Sequence, residues 1–332
     1  MRVLVTGGCG FIGSAFVRWV LTEQPDVHVV NLDALTYAGN PENVASVAHL
    51  DRYEFVHGDI RDAPLVDELT GRVDAIVNFA AETHVDRSIE GPAPFLSTNV
   101  VGAGVLFDAA RRHGIERVLH ISTDEVYGSI DVGSFREDDP LRPNSPYAAS
   151  KAGADLLARS WAETYDHPIS ITRTTNNYGP YHYPEKVIPL FITNLMEGGT
   201  LPVYGDGGNV RDWLHVVDNA RAQWLVLTEA PPGTVVNVGG GNELSNRDLA
   251  RRLADAFGRD DDAIEFVADR PGHDRRYSVD TSRLRGMGWE PRITLDEGLA
   301  DVMAWYRDNE GWWRPLRGLG ASRRRGLVAE AD

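Results

Sequence analysis

The chain has 332 residues, 42% hydrophobic and 25% charged, which places it among ordinary globular proteins and sets it apart from disordered chains. Thirty-three basic side chains stand against 49 acidic ones, a formal charge of −16 that repels phosphate backbones and argues against nucleic acid as a partner. No window approaches the roughly 18 uninterrupted apolar residues of a membrane span, and at roughly 100–200 residues per domain the length suits a nucleotide-binding domain plus a second lobe.

The chain opens on an apolar run, 2–6, too short for a signal peptide, and Cys9 is its only cysteine; both point to a reducing cytoplasm. "TGGCGFIGS" follows at once and reads as G-x-x-G-x-x-G through Gly7, Gly10 and Gly13, or as G-x-G-x-x-G starting at Gly8. Either spacing lets the backbone approach a pyrophosphate while the next helix aims its N-terminal amides at the charge. A second strand-like run, 27–32, ends beside Asp33, twenty residues after Gly13, where a carboxylate binds the adenosine ribose and disfavours a 2′-phosphate. The implied cofactor is NAD. A third run, 53–57, precedes Asp59 and Ile60, placed to flank the adenine.

Further strand-like runs at 73–80, 117–123 and 168–174 alternate with helical stretches, predicting a doubly wound, Rossmann-like α/β fold with a parallel sheet. Ligands of such sheets bind beyond the carboxyl ends of the strands. "ISTDEVYG" puts Thr123, Asp124 and Glu125 at that edge: a hydroxyl for a substrate oxygen and two acids able to divide into general acid and general base. Tyr147 and Lys151 lie four apart on one face of a helix that Ser145 caps and Pro146 begins. A tyrosine, whose ordinary pKa is about 10, acts as a base near neutrality only beside cations, which Lys151 and an oxidised nicotinamide provide.

From about 176 the pattern loosens into Gly and Pro clusters and a Trp-rich end with Trp305, Trp312 and Trp313. This predicts an NAD-binding domain over 1–175, a smaller lobe over 176–317 with some segments returning to the first domain, and a tail over 318–332. The run Arg323, Arg324 and Arg325 reads as a solvated end.

The segments "TGGCGFIG", "LDALTYAGN", "NFAAETHVDRSI", "STDEVYGS", "NSPYAASKAGAD", "PEKVIPLFI" and "GDGGNVRDWLHVVDNARA" resemble the dTDP-glucose 4,6-dehydratase family over roughly residues 2–313. The Asp-Glu pair in "TDEVYG" is the specific element. The resemblance implies NAD contacts from Phe11, Ile12, Ala34, Leu35, Thr36, Phe79, Ala80, Ala81 and Thr98, with Thr98 and Asn99 near the cofactor or its supporting strand, and assigns Asn177 to the nicotinamide. It assigns Thr83 and Asn176 to the sugar, and Lys186, Arg211, Asn246, Arg270 and His273 to the nucleotide and diphosphate, with Pro202 and Tyr204 at the base. Arginine forks are what a diphosphate requires in so acidic a chain. It further implies Tyr147 as base for the 4-OH, Glu125 as base at C5, Asp124 as acid at C6, and a homodimer formed by the helices after Asn99 and Tyr147. No metal site is expected.

Thr174, Thr175, His182 and Tyr183 depart from the family pattern and flank the expected substrate site. Two rival functions use the same fold: a nucleotide-sugar epimerase or decarboxylase, which needs Tyr147 but no acid pair, and a non-catalytic sensor of NAD and nucleotide sugar.

Overall fold

The structure is a computed structural model that describes the backbone of residues 1–324 and the side chains of residues 1–317. The tail expected over 318–332, with its arginine run, lies outside the described side chains. Six strands of the first half, β1 (Arg2–Thr6), β2 (His28–Asp33), β3 (Tyr53–His57), β4 (Ala75–Asn78), β5 (Arg117–Thr123) and β6 (Ser170–Thr174), match the predicted runs to within a few residues. The next strands are β7 (Asn176–Tyr178), β8 (Leu201–Tyr204), β9 (Val210–His215), β10 (Val235–Val238), β11 (Glu243–Ser245) and β12 (Ile264–Val267).

The main sheet runs β10-β6-β5-β4-β1-β2-β3, and every neighbouring pair is parallel. The order reverses between β1 and β4, the switch point where a ligand crevice opens. Strand alternation sorts the side chains between two cores: Val3 and Val5 of β1 enter one, with the helices Phe11–Glu23 and Val216–Glu229, and Leu4 enters the other. That second core packs against helices Ala63–Thr70, Ala103–Arg112 and Pro146–Tyr165. Each fully buried Val or Leu contributes about 1.5–3 kcal/mol, so a strand covered on both faces holds its register firmly.

The seventh strand, β10, returns from the second half: after helix Val216–Glu229 the chain pairs with β6, Val235 beside Ile171. The turn residues clustered at 231–241 hide this strand from a reading of the sequence. Two small sheets, β11-β9-β7 and β12-β8, build the other lobe around a third core. There Trp313 is fully buried beside Tyr306 and Leu299, which accounts for part of the Trp-rich end.

The helical run Ala93–Arg112 has the length and mean hydropathy of a membrane span, 20 residues at 1.2, but it is interrupted by Asn99 and Asp108 and lies against the second core. Within it Leu96–Gly102 is a π-helix that carries Thr98 and Asn99.

Candidate active site

One cavity at the carboxyl edge of the main sheet collects most of the predicted residues. At its first end the backbone itself is the binding surface. Gly7 adopts φ 69°, and a Cβ there would sit 2.7 Å from the Ala80 amide nitrogen; a Cβ on Gly13 would sit 2.2 Å from the Gly7 carbonyl oxygen. Gly7, Gly10 and Gly13 line the cavity. Gly8 instead packs against the Asn31 side chain, which settles the register in favour of G-x-x-G-x-x-G.

Helix Phe11–Glu23 begins at Gly10 with no side-chain cap, which leaves its first amides to a ligand. The Asp33 carboxylate is fixed by two backbone donors, Cys9 N–H and Leu35 N–H, each at 2.8 Å. A pyrophosphate cradle without Cβ atoms and an oriented acid at the end of β2 fit a dinucleotide with a free ribose. The burial that raises the Cys9 thiol to about 12 removes it from redox chemistry.

Phe11, Ile12, Ala34, Thr36, Asp59, Ile60, Phe79, Ala80, Ala81, Thr98 and Asn177 also line this cavity, while Leu35 stays outside it and packs on the first core with φ 49°. Asn99 faces away: it holds the Glu82 backbone through both its amide groups and donates to Ser150 at 2.8 Å.

At the far end the surface is made of buried, charge-bearing side chains. Ser145 caps helix Pro146–Tyr165, accepting from Ala148 N–H at 3.1 Å, and Pro146 stands at its start as predicted. Lys151 reaches the strand edge, where Nζ donates to the Ile121 carbonyl at 2.6 Å and lies 3.4 Å from His120 Nε2. Burial lowers its pKa to about 8, against an opposing pull from Asp155. Burial raises the Tyr147 phenol, and the charges of Glu125 and Asp124 raise it further, while a hydrogen bond to Thr123 acts in the opposite sense.

Thr123 ends β5 and caps the short 3-10 helix Asp124–Tyr127, accepting from Glu125 N–H at 3.3 Å. Its hydroxyl donates to Asp124 Oδ1 at 3.2 Å, and Asp124 Oδ2 is buried with no hydrogen-bond partner among the described residues. Burial pushes the Asp124 carboxyl well above its usual range, and Glu125 and Asp212 add to the shift against Arg211. Glu125 is also raised by burial, but Arg211, Arg270 and Lys186 all pull it back. Burial thus raises both neighbouring acids, but unequally: the Asp124 rise is reinforced by Glu125 and Asp212, whereas three cations offset part of the rise at Glu125.

Thr83, Asn176 and Lys186 line the same cavity, as do Thr174, Thr175, His182 and Tyr183, the four departures from the family pattern. His182 stacks on Phe11 at 4.1 Å between ring centroids. Pro202, Tyr204, Arg211, Asn246, Arg270 and His273 stand outside the lining. Arg211 lies with its guanidinium 4.2 Å from the Tyr277 ring centroid and donates to the Asp274 carbonyl. Arg270 crosses to Asp86 at 3.1 Å, and Tyr204 presents an edge contact to His273. Asn246 begins the helix after β11, and its N–H donates to the Asn209 carbonyl.

Sequence reasoning missed Tyr37, Arg61, Glu82 and Trp213, which also line the cavity. Tyr37 belongs to a tie between loops: the Arg87 guanidinium lies 3.8 Å from its ring centroid and pairs with Glu185 at 3.1 Å, and Tyr183 meets the same ring edge-on. Nothing in the local pattern marks these residues, since the three segments are distant in sequence. Among the described residues no group of three or more His, Cys, Asp or Glu side chains is arranged to hold a metal ion.

Known proteins resemble this chain in sequence and fold. The sequence profile described as GDP-mannose 4,6 dehydratase matches residues 4–302. A dTDP-glucose 4,6-dehydratase of Streptomyces niveus is 53% identical over 96% of both chains. The crystal structure of DesIV, a dTDP-glucose 4,6-dehydratase from Streptomyces venezuelae with NAD and TYD bound, superposes with a TM-score of 0.93 at 55% identity, covering 95% of this chain and all of that one. A UDP-glucose 4-epimerase from Thermotoga maritima with UDP-glucose also superposes, with a TM-score of 0.86 at 28% identity over 93% of this chain and 99% of that one, so the fold is shared across reactions. On profile, identity and fold together, the chain belongs to the dTDP-glucose 4,6-dehydratase family of extended short-chain dehydrogenases.

Proposed function

We propose that this protein removes water from dTDP-glucose to form dTDP-4-keto-6-deoxyglucose, with NAD held throughout. Bound NAD supplies a hydride acceptor for C4 and the hydride donor for C6 within one turnover. Tyr147 takes the 4-OH proton, favoured by the Lys151 ammonium on the same helix face. The 4-ketone acidifies C5, and Glu125, whose carboxylate Arg211, Arg270 and Lys186 favour against the opposing effect of burial, removes that proton. Asp124, kept protonated by burial, gives its proton to the departing 6-hydroxyl, and Glu125 returns the proton to C5.

The observation that carries this reading is the Asp124–Glu125 pair placed beside Tyr147 in one cavity. An epimerase needs the tyrosine and lysine alone, and a sensor needs none of the four. Arg211 and Arg270 serve the diphosphate and Asn177 the nicotinamide in the same reading. The test is mass spectrometry of purified protein with dTDP-glucose and no added cofactor. Loss of one water from the sugar nucleotide is expected; unchanged substrate with NAD supplied would overturn the assignment.

A homodimer belongs to the same proposal. Leu96, Val101, Leu156 and Tyr165 are each at least half exposed on helices 93–112 and 146–165, an apolar surface that a second copy would cover. Sedimentation of a monomer at micromolar concentration would refute it. The single buried thiol supports a cytoplasmic setting, checked by cell fractionation.

A further inference from the structure

Under the function proposed above, on which this inference rests, the hexose hangs through C1 from a diphosphate, while Tyr147, Glu125 and Asp124 act at C4, C5 and C6. The arginines given to the diphosphate belong to the other lobe: Arg211 stands on β9, and Arg270 on the loop that follows β12. Tyr147 begins a helix that packs on the main sheet. Turnover therefore depends on a fixed spacing between groups that no single strand or helix holds together.

We propose that Asp274 is the positioning residue that sets this spacing, joining Arg211 to the start of the catalytic helix. Asp274 is 7% exposed and lies outside the cavity lining, so it acts through its neighbours. Both carboxylate oxygens and the backbone carbonyl are engaged. Oδ1 accepts from Asn144 Nδ2 at 2.6 Å and Oδ2 from the Tyr277 hydroxyl at 2.7 Å, while the carbonyl accepts from Arg211 at 3.0 Å and from Asn209 Nδ2 at 3.1 Å.

Two arms leave the carboxylate. The arm through Asn144 leads to the chemistry, because Asn144 directly precedes Ser145, the cap of the helix in which Tyr147 is the second residue. The loop that carries Arg270 passes the same point at Gly272, with φ 65° and room for a Cβ only 3.2 Å from the Asn144 carbonyl oxygen. The arm through Tyr277 holds the arginine, whose guanidinium lies 4.2 Å from the ring centroid. Arg211 is thus fixed on one face by that ring and along its edge by the Asp274 and Val210 carbonyls, which leaves donors of its fork for phosphate oxygens.

The backbone beside Asp274 is secured independently of its carboxylate. Val210 N–H donates to the Arg275 carbonyl at 2.8 Å, and Ile130 N–H, just past the acid pair, donates to the Arg276 carbonyl at 3.1 Å. The segment therefore keeps its place between β9 and that loop without the side chain. What the carboxylate adds is the link to the helix start, which is a matter of spacing and not of folding.

The test compares parent, Asn144→Ala, Asp274→Ala and Asp274→Asn holoproteins by turnover of dTDP-glucose, dTDP binding by calorimetry and NAD content on denaturation. Asn144→Ala cuts the helix arm alone: kcat should fall about 10²-fold, the scale of an approximately 1 Å displacement of reacting atoms, with dTDP affinity and NAD content unchanged. Asp274→Ala cuts both arms and should lose dTDP affinity as well. The Asn144→Ala, Asp274→Ala double variant should match the kcat of Asp274→Ala, because both changes remove one bond. In Asp274→Asn the amide oxygen still accepts from Asn144 and the NH2 donates to Tyr277, so most of the parental kcat should return. Parental kcat in Asn144→Ala, losses that multiply in the double variant, an Asp274→Asn protein as slow as Asp274→Ala, or a fall in kcat matched by equal losses of dTDP and NAD would each overturn the joint. Should Asp274→Ala fail to fold, Asn144→Ala decides by the same readings. Parent protein that holds NAD yet never dehydrates the sugar removes the functional reading itself, a result distinct from all of these.

Discussion

The two ends of the cavity are built on opposite principles. The end at Gly7 and Asp33 is made of backbone amides, missing Cβ atoms and one acid fixed by backbone donors, so it binds charge without burying any charge unpaired. The end at Thr123, Tyr147 and Lys151 buries acids, a phenol and an ammonium together and shifts each from its ordinary range. The first resembles a mould, tolerant of chemistry and intolerant of volume. The second tolerates small changes of shape but depends on every charge.

Removing a charge-bearing group should accordingly have the largest effect. Glu125→Gln keeps the volume and deletes the base at C5, so dehydration should fall by about 10²–10⁴-fold while NAD content after purification stays unchanged. Product formation by mass spectrometry and cofactor release on denaturation separate the two. Dehydration at the parent rate would show that the electrostatic division of the acid pair is irrelevant to the reaction.

Lys151 allows a test in which activity and stability move in opposite directions. Its folded pKa of about 8 lies below the ordinary lysine value of 10.5, so below pH 8 the folded, cofactor-free protein carries a disfavoured buried ammonium. Between about 8 and 10.5 the unfolded chain binds more protons than the folded one, and stability from this group rises with pH, by about 3 kcal/mol in all. Activity, which needs the ammonium, should fall over the same interval. Lys151→Met should unfold at higher urea than the parent at pH 7, with the gap closing at pH 10; a gap constant with pH would refute the assignment.

Volume is the weak point of the other end. Gly13→Ala places a Cβ against the Gly7 carbonyl, a backbone clash that costs about 1–3 kcal/mol and should weaken NAD binding measured by calorimetry while leaving the Lys151 titration in place. The smallest effect belongs to the tie between the ends. Arg87→Ala removes the cation over Tyr37 and the pair with Glu185, about 1 kcal/mol for the stacked cation, and should speed NAD release roughly fivefold with the catalytic constant at saturating NAD unchanged. A release rate equal to the parent's would show that the three loops are held independently.

Much of this molecule was legible in its residue order because the signals were local. Strand runs, the glycine spacing, Asp33 at the end of β2, the Ser145 cap and the i, i+4 pair all depend on neighbours within a few turns of chain, where periodicity and steric rules act directly. The acid pair was visible as a sequence motif. Which of the two serves as base came from the family resemblance alone; the physical cause was not legible, since the cations that set Glu125 apart come from Lys186, Arg211 and Arg270.

Sequence alone therefore determined the parallel sheet, the dinucleotide turn and the chemical inventory of the site. Only the tertiary structure brought β10 back to the sheet, chose Gly7 over Gly8, turned Asn99 toward Ser150, left Leu35 outside the cavity and tied Tyr37 to Arg87. Each of those outcomes depends on which distant surfaces share one buried space, and burial is also what shifts Asp124, Tyr147 and Lys151 from their ordinary ionisation. Local spacing carries no record of that shared space, because desolvation is a property of the packed assembly and not of any segment within it.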